Sequence, residues 1–376
     1  MIHVTRGTKY ASFSLLVIIG TAIGITWAPW YLSKPIALGP WLSWTDDPHT
    51  TITISWWTEP AINGYVIVSN ATWSGRFNSS DPHYHHVLIT NLTPGCKYTY
   101  FINASELDLT SLHGEFMTIS DNVDSIKFIV YGDNRASIAS SAHYRVLSAM
   151  SHEKNVSFII NVGDIVLGGA VWADWKRFLS ETSTIARNIP YIIAAGNHEL
   201  EGSYIGGSDN GRMFRKLIVF PGDNGSYVFH IANISLIVFA CNTSHTPLPE
   251  AQLKWLNETL ASITGWKFVF FHVPVTSTWG NVSINPMHAE LEKILIENNV
   301  DVVFQGHDHA YARWKKDNTT FIITAGGGAE PDPAFLWDGP SDTAYHYIRV
   351  IVSGNTATFT VVRPDGSVID SFFLQR

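Results

Sequence analysis

The sequence predicts an α/β domain built on a buried central sheet, preceded by a small all-β domain and by a hydrophobic amino-terminal helix. Three observations carry this. From residue 36 to about 120 the chain breaks into short strand-like runs, TITISWW, GYVIVS, HHVLITNL, KYTYFINA and GEFMTI, separated by turn signals; that spacing is the pattern of a small sandwich. From about Asp124 apolar runs alternate with helical segments, the pattern of an α/β domain. Ahead of both, Ala11 to Leu32 contains no charged residue. The domains expected are therefore residues 1–35, 36–120 and 121–376.

The first segment follows Arg6 and Lys9 and is long enough to span a bilayer with the rest of the chain outside. A cleaved signal peptide is the rival reading, because the most apolar part, Leu15 to Ile25, is short enough for one. No small-x-small cleavage site follows it, which favours an uncleaved anchor. Eleven Asn-X-Ser/Thr triplets, starting at Asn70, Asn78, Asn91, Asn103, Asn155, Asn224, Asn233, Asn242, Asn257, Asn281 and Asn318, point the same way, to a glycosylating compartment on the extracellular side of the cell membrane or to secretion. Cys96 and Cys241 are too far apart for a metal pair, and either a disulfide or two buried thiols would suit them.

In the second segment, LTPGCKYTY puts Tyr98 where a tyrosine corner would stand, and Trp56 is a candidate for the sandwich interior. This part resembles fibronectin type III modules. Its HYHH run (His83, His85, His86) leads straight into an alternating strand, so it reads as structural or surface.

The third segment runs IKFIVY, HYRVLSAM, VSFIINV, WADWKRFLSETSTIA and IPYIIAA, and later SLIVFAC, EAQLKWLNETLASI, KFVFF, HAELEKILI and DVVF. It returns to strands at TTFIITA, HYIRVIVSG and TATFTVV, with a Pro-Asp-Gly hairpin turn after them. A net charge of −8, with no Lys/Arg-rich stretch, excludes nucleic acid as the main partner. Any phosphate chemistry must then be local.

Five of these strands end on a side chain able to bind a cation: IVYGDNR (Asp133), INVGDIV (Asp164), IAAGNHE (Asn197, His198), FVFFHVP (His272) and VVFQGHDH (His307, His309). Sites in open α/β sheets assemble at the carboxyl ends of strands, so residues this far apart in sequence can converge. Glycine precedes the polar residue in four of the five, as suits a backbone that must approach a site closely. Two carboxylates, one amide and three imidazoles are too many for one tetrahedral ion and suit two. Ions about 3.5 Å apart repel, so one anionic ligand should lie between them, and either aspartate would serve. Oxygen and imidazole donors without thiolate favour Mn, Fe or Zn. Such a pair activates water near neutral pH and screens a phosphoryl group, which makes phosphoester hydrolysis the natural chemistry. No G-x-S-x-G nucleophile elbow accompanies the pattern.

The motifs GDNR, GDIVLGG, GNHE, FFHVP and GHDHAYAR, in this order, resemble the calcineurin-like metallophosphoesterases. LPEAQLKWLNETL and VDVVFQGHDHAYAR narrow the resemblance to their purple acid phosphatase branch. It covers about residues 36 to 376 and implies a β-sandwich core of α/β/β/α type. It further implies that Asp164 bridges two ions, that Asp133 and His309 hold the first, and that Asn197, His272 and His307 hold the second. His198 would donate hydrogen bonds or a proton to the phosphate.

Two departures stand out. The tyrosinate that gives the branch its colour falls here at Leu167, which favours a divalent ion in the first site. The histidines that many members carry after the fourth motif are absent from VTSTWGNVS, leaving His198 more of the acid–base work.

Arg135 suits either a substrate oxygen or a salt bridge. Trp172, Tyr204, Trp279 and Tyr311 suit pocket walls or, more often, core packing. The glycines Gly326 to Gly328 suit a loop passing close to the centre. The function expected is hydrolysis of small phosphomonoesters by a metal-activated hydroxide. The alternatives are a phosphodiesterase or nucleotide pyrophosphatase on the same scaffold, and a catalytically inactive surface binding protein.

Overall fold

The computed structural model describes residues 36–104, 112–137, 140–201, 207–222, 224–241, 247–277, 283–284, 288–332 and 339–376. The expected anchor or signal segment, 1–35, lies outside them, as do Tyr204, Trp279, Asn242 and Asn281. Among the described residues no helix is long and apolar enough to cross a membrane.

Residues 36–117 form two antiparallel sheets. One orders Ile36–Ser43, Ile52–Glu59 and Tyr84–Ile89; the other orders Ser74–Asn78, Gly64–Ser69, Lys97–Ala104 and His113–Met117. Gly64–Ser69 alternates buried and half-buried side chains, as a strand with one face turned inward must. Ile54, Trp56, Val66, Val68 and Tyr98 share one apolar interior. The Tyr98 hydroxyl accepts the Thr93 amide at 2.9 Å, the contact of a tyrosine corner. Trp56 is fully buried, and replacing such a ring by alanine costs about 3–5 kcal/mol.

The HYHH run is structural. His85 stacks on Trp56 with ring centroids 4.4 Å apart, and its Nε2 lies 2.9 Å from Thr58 Oγ1. His83 donates to the Thr58 carbonyl, and His86 to the Lys216 carbonyl.

Beyond Ser125 the core holds two sheets, as the resemblance implied, rather than the single central sheet suggested by the alternation of runs. The first orders Tyr191–Ile193, Phe158–Asn161, Ser125–Tyr131, Tyr347–Ser353, Thr356–Val362 and Val368–Gln375; the second orders Tyr227–Ile231, Ile234–Val238, Trp266–Phe270, Val302–Gln305, Thr319–Thr324, Tyr311–Lys316 and Ser341–Asp342. Along Ser125–Tyr131, Phe128 and Val130 belong to the cluster between the sheets, whereas Ile129 and Tyr131 belong to the cluster beneath the helices. Phe128 meets Phe268 of the second sheet with ring centroids 6.0 Å apart.

Helices close both outer faces. Trp172–Ala186 buries Trp175, Phe178, Leu179 and Thr182, one stripe at helical spacing, on the first sheet. Glu250–Ser262 and Ala289–Glu297 bury Leu256, Leu260, Leu291 and Leu295 on the second. The layering is α/β/β/α. Trp57, from the amino-terminal sheets, packs on Trp172 at 4.6 Å. Cys96 and Cys241 are free thiols, and Cys241 is buried with its Sγ 3.5 Å from His288 Nε2.

Candidate metal centre

Each parallel strand hands its chain to a tight loop at its carboxyl end, and those loops meet. Asp133 follows Ser125–Tyr131, Asp164 follows Phe158–Asn161, Asn197 follows Tyr191–Ile193, His272 follows Trp266–Phe270 and His307 follows Val302–Gln305. Two of the glycines explain how closely the loops meet. A Cβ on Gly163 would stand 2.7 Å from His272 Nδ1, and one on Gly306 would stand 2.5 Å from Asp133 Oδ2. No other residue fits there. Asp133, Arg135, Asp164 and His307 themselves adopt left-handed φ values of 54°, 39°, 52° and 73°, which cost energy and concentrate at functional sites.

Ligand atoms of Asp133, Asp164 and His272, all fully buried, lie within 4.8 Å of one another. Asp164 is the middle of the group: its Oδ1 is 3.2 Å from His272 Nε2, and its Oδ2 is 2.9 Å from Arg135 Nη2 and 3.7 Å from His198 Nε2. To one side, His272 Nε2 and His307 Nδ1 both lie 3.0 Å from Asn197 Oδ1. To the other, His309 Nε2 stands 3.8 Å from Asp133 Oδ1. All six residues proposed as ligands are thus brought together.

Burial pushes the Asp133 carboxyl up to about 7, with the Asp164 charge adding to the effect. For Asp164 burial acts the same way but is outweighed by His272, His198 and Arg135, which hold it well below the ordinary carboxylate range. Burial disfavours a charged His272, yet the two aspartates overcome it and draw the ring up to about 9.

These residues fit a cation. Burial pushes His307 down to about 3 and His309 to about 4, so both rings are neutral and keep a lone pair. His309 donates from Nδ1 to the Glu330 carbonyl at 2.8 Å, which leaves the lone pair on Nε2. That Nε2 is buried, without a hydrogen-bond partner, and faces a carboxylate. A cation between the two satisfies both. His272 is oriented by Nδ1, which donates to the Val162 carbonyl at 2.9 Å, but unlike the other two rings it is held protonated by the aspartates, so a cation would have to displace the proton on Nε2.

His198 donates from Nδ1 to the Leu167 carbonyl at 2.5 Å, and its backbone amide donates to Asp164 Oδ1 at 3.0 Å. Its ring is therefore held over the carboxylate with Nε2 facing inward. Leu167 takes part through its main-chain carbonyl. Of Arg135's two expected roles, the structure places it in the salt bridge.

The triple-glycine loop does pass close to the centre: the Gly327 amide donates to the Gly132 carbonyl and the Ala329 amide to the Asp133 carbonyl. Trp172 and Tyr311 are packing residues, Trp172 against Trp57 and Tyr311 fully buried with its hydroxyl on Asp370.

Glu199 escaped the reading of the motifs. Its carboxylate accepts the amides of Asp164 at 3.0 Å, Gly196 at 2.9 Å and Val166 at 3.2 Å, tying the second and third motif loops together. A glutamate three residues after the N-cap of a short helix, here Gly196 before Asn197–Leu200, is a capping signal, and GNHE carries it.

A family model described as Calcineurin-like phosphoesterase matches residues 115–311, more than half of the chain. Among curated proteins of Arabidopsis thaliana, "Probable inactive purple acid phosphatase 27" is 25% identical over 271 residues, covering 62% of this chain and 44% of that protein. "Probable purple acid phosphatase 20" is 26% identical over 290 residues, covering 70% and 66%. The chain thus spans less than half the length of the first relative and about two thirds of the second. The solved structure of purple acid phosphatase PPD1 from yellow lupin (Lupinus luteus) seeds superposes with a TM-score of 0.78 at 17% identity, covering 91% of this chain and 74% of that one. That likeness is one of fold.

Proposed function

Because the chain belongs to the calcineurin-like phosphoesterase family, we propose that it hydrolyses small phosphomonoesters with a centre of two divalent metal ions. The observation that carries this is the meeting of Asp133, Asp164, Asn197, His272, His307 and His309 at the ends of parallel strands, with the lone pair of a buried His309 Nε2 facing Asp133. Asp164, central to the group, is the bridging ligand; Asp133 and His309 hold one ion, and Asn197, His272 and His307 the other. Bound ions of this kind supply Lewis acidity that activates water and screens the phosphoryl charge. Manganese, zinc or ferrous iron suits these donors, and Leu167 in place of a phenolate favours the divalent state.

The chain's own part is positioning and proton handling. His198, with Nδ1 held by the Leu167 carbonyl, faces the centre with Nε2 and acts as general acid in its imidazolium form; burial lowers its proton affinity while the Asp164 charge opposes the loss, so this role belongs to acidic pH. Arg135 holds Asp164 and offers its remaining donors to a phosphoryl oxygen.

We place the catalytic part outside the cell, behind a fibronectin III-like module and an anchor in residues 1–35. Support comes from the nine described asparagines of the Asn-X-Ser/Thr triplets: seven are exposed, Asn70 and Asn103 are half-buried, and none is buried.

One observation favours a second reading. Arg135 already neutralises Asp164, and three relatives are called probably inactive, so a catalytically inactive surface binding protein is the rival. Metal analysis of the purified protein, with assays on p-nitrophenyl phosphate and bis-p-nitrophenyl phosphate after reconstitution with Mn, Fe or Zn, separates them. Monoester turnover is expected; diester turnover alone would favour the phosphodiesterase alternative, and bound metal without either activity the binding reading.

A further inference from the structure

Behind the two carboxylates lies a pair of buried amides whose side chains hydrogen-bond to no side chain of the six proposed ligands among the described residues. Asn161, fully buried, accepts the Gly163 amide on Oδ1 at 2.9 Å; its Nδ2 donates to Asn134 Oδ1 at 2.8 Å and to the Tyr191 hydroxyl at 3.0 Å. Asn134, also buried, donates from Nδ2 to the Ile165 carbonyl at 2.8 Å. The loop of Asp133 is thereby stitched to the loop of Asp164 by side chains, alongside the backbone bonds from the Asp133 amide to Gly163 and from the Arg135 amide to Asp164, both 2.9 Å.

The stitch is itself anchored. Tyr191 meets the Tyr131 hydroxyl at 2.5 Å, Tyr131 lies 3.2 Å from His143 Nε2, and His143 Nδ1 lies 2.8 Å from Glu181 of the helix Trp172–Ala186. Every polar atom of the Asn161 side chain is used, and a buried amide so satisfied is held rigidly. Asp133 and Asp164 both sit at left-handed φ, a conformation that persists only where the surroundings impose it.

We infer that the Asn134–Asn161 amide pair is a positioning clamp that fixes the spacing of Asp133 and Asp164, and so the centre's affinity for divalent cations. The inference rests on the reading of those aspartates as ligands. Apolar side chains here would leave the Gly163 amide and the Ile165 carbonyl without these partners and free the two loops to drift apart. Residues that orient ligands without binding the ion typically matter by 10–100-fold in affinity.

Calorimetric titration of the metal-free full chain with Mn²⁺ alone tests this, on wild type, Asn161→Ala, Asn134→Ala and the double variant. Thermal unfolding of each is measured alongside, with Val146→Ala, a cavity variant in the apolar cluster under the helices, as control. Each single variant should bind Mn²⁺ about tenfold more weakly or worse. The double variant should lose little more than either single one, as members of one unit do. Val146→Ala should bind as wild type does, despite its lower Tm. Wild-type affinity in a folded Asn161→Ala, or an equal loss in Val146→Ala, overturns the clamp. If Asn161→Ala does not fold, Asn134→Ala decides by the same criterion. Wild type that binds no Mn²⁺ overturns the ligand reading too, an outcome distinct from a binding wild type with unaffected variants.

Discussion

Arg135 places Nη2 2.9 Å and Nε 3.3 Å from the same oxygen of Asp164, Oδ2, so the carboxylate at the middle of the centre already carries a guanidinium. Asp164 is fully buried, and removing the partner of a buried charge is costly, roughly 3 kcal/mol when the partner is itself largely shielded. Arg135→Ala should therefore lower the Tm of the metal-free protein. It should also enlarge the stabilisation gained from Mn²⁺, because a cation then supplies the missing charge. Thermal unfolding with and without Mn²⁺ reads both effects; a metal-induced shift no larger than wild type's would refute the competition between guanidinium and ion.

His198 approaches Asp164 Oδ2 with Nε2 at 3.7 Å while its Nδ1 is held by the Leu167 carbonyl. It adds no ligand to the proposed set, so His198→Ala should keep its metal. Turnover of p-nitrophenyl phosphate should fall by about 10²–10⁴-fold, the usual contribution of a general acid. Metal content by mass spectrometry and kcat on the same sample check this together. Unimpaired kcat would remove His198 from the reaction.

Leu167 serves the centre through its main chain, which a side-chain replacement preserves. Leu167→Tyr should then place a phenol within reach of the ion beside Asp133 without releasing His198. Reconstituted with ferric iron, the variant should gain the visible charge-transfer band of a tyrosinate, and wild type should stay colourless. A colourless variant with iron bound would show that the loop holds position 167 away from that ion.

The pattern of strand ends was legible because it depends on residue type and order alone: Asp133, Asp164, Asn197, His272 and His307 each close an apolar run. The two-sheet core was legible through the family resemblance and not through the runs themselves. Phe158–Asn161, Trp266–Phe270 and Val302–Gln305 are buried at every position, and a strand covered on both faces loses the alternation that would say what covers it. Asn161 was hidden for a related reason. It closes a strand as the ligands do, but it points to a neighbouring loop rather than to the centre, and sequence spacing does not distinguish the two. Arg135 kept two roles in the sequence because both need the same side chain; the 2.9 Å contact with Asp164 establishes the salt bridge and leaves the remaining guanidinium donors to the other role.

His85 sets a pH limit on the fold that is independent of the centre. Burial against Trp56 holds its ring down to about 4, against an ordinary value of 6.5, with Asp81 opposing the shift weakly. Between those values the unfolded chain binds a proton that the folded chain does not, so stability rises with pH across the window. The contribution is fully present above pH 6.5 and lost as the pH falls toward 4, at most about 3 kcal/mol for a shift of this size. His346, also buried and held at about 4, acts in the same direction. His85→Phe keeps an aromatic ring stacked on Trp56 and removes the titration. Urea unfolding at pH 7 and pH 4.5 should therefore show a smaller loss of stability on acidification in the variant than in wild type. His346 and the carboxylates should still leave a residual slope. Identical losses in the two proteins would mean that His85 keeps an ordinary proton affinity despite its burial.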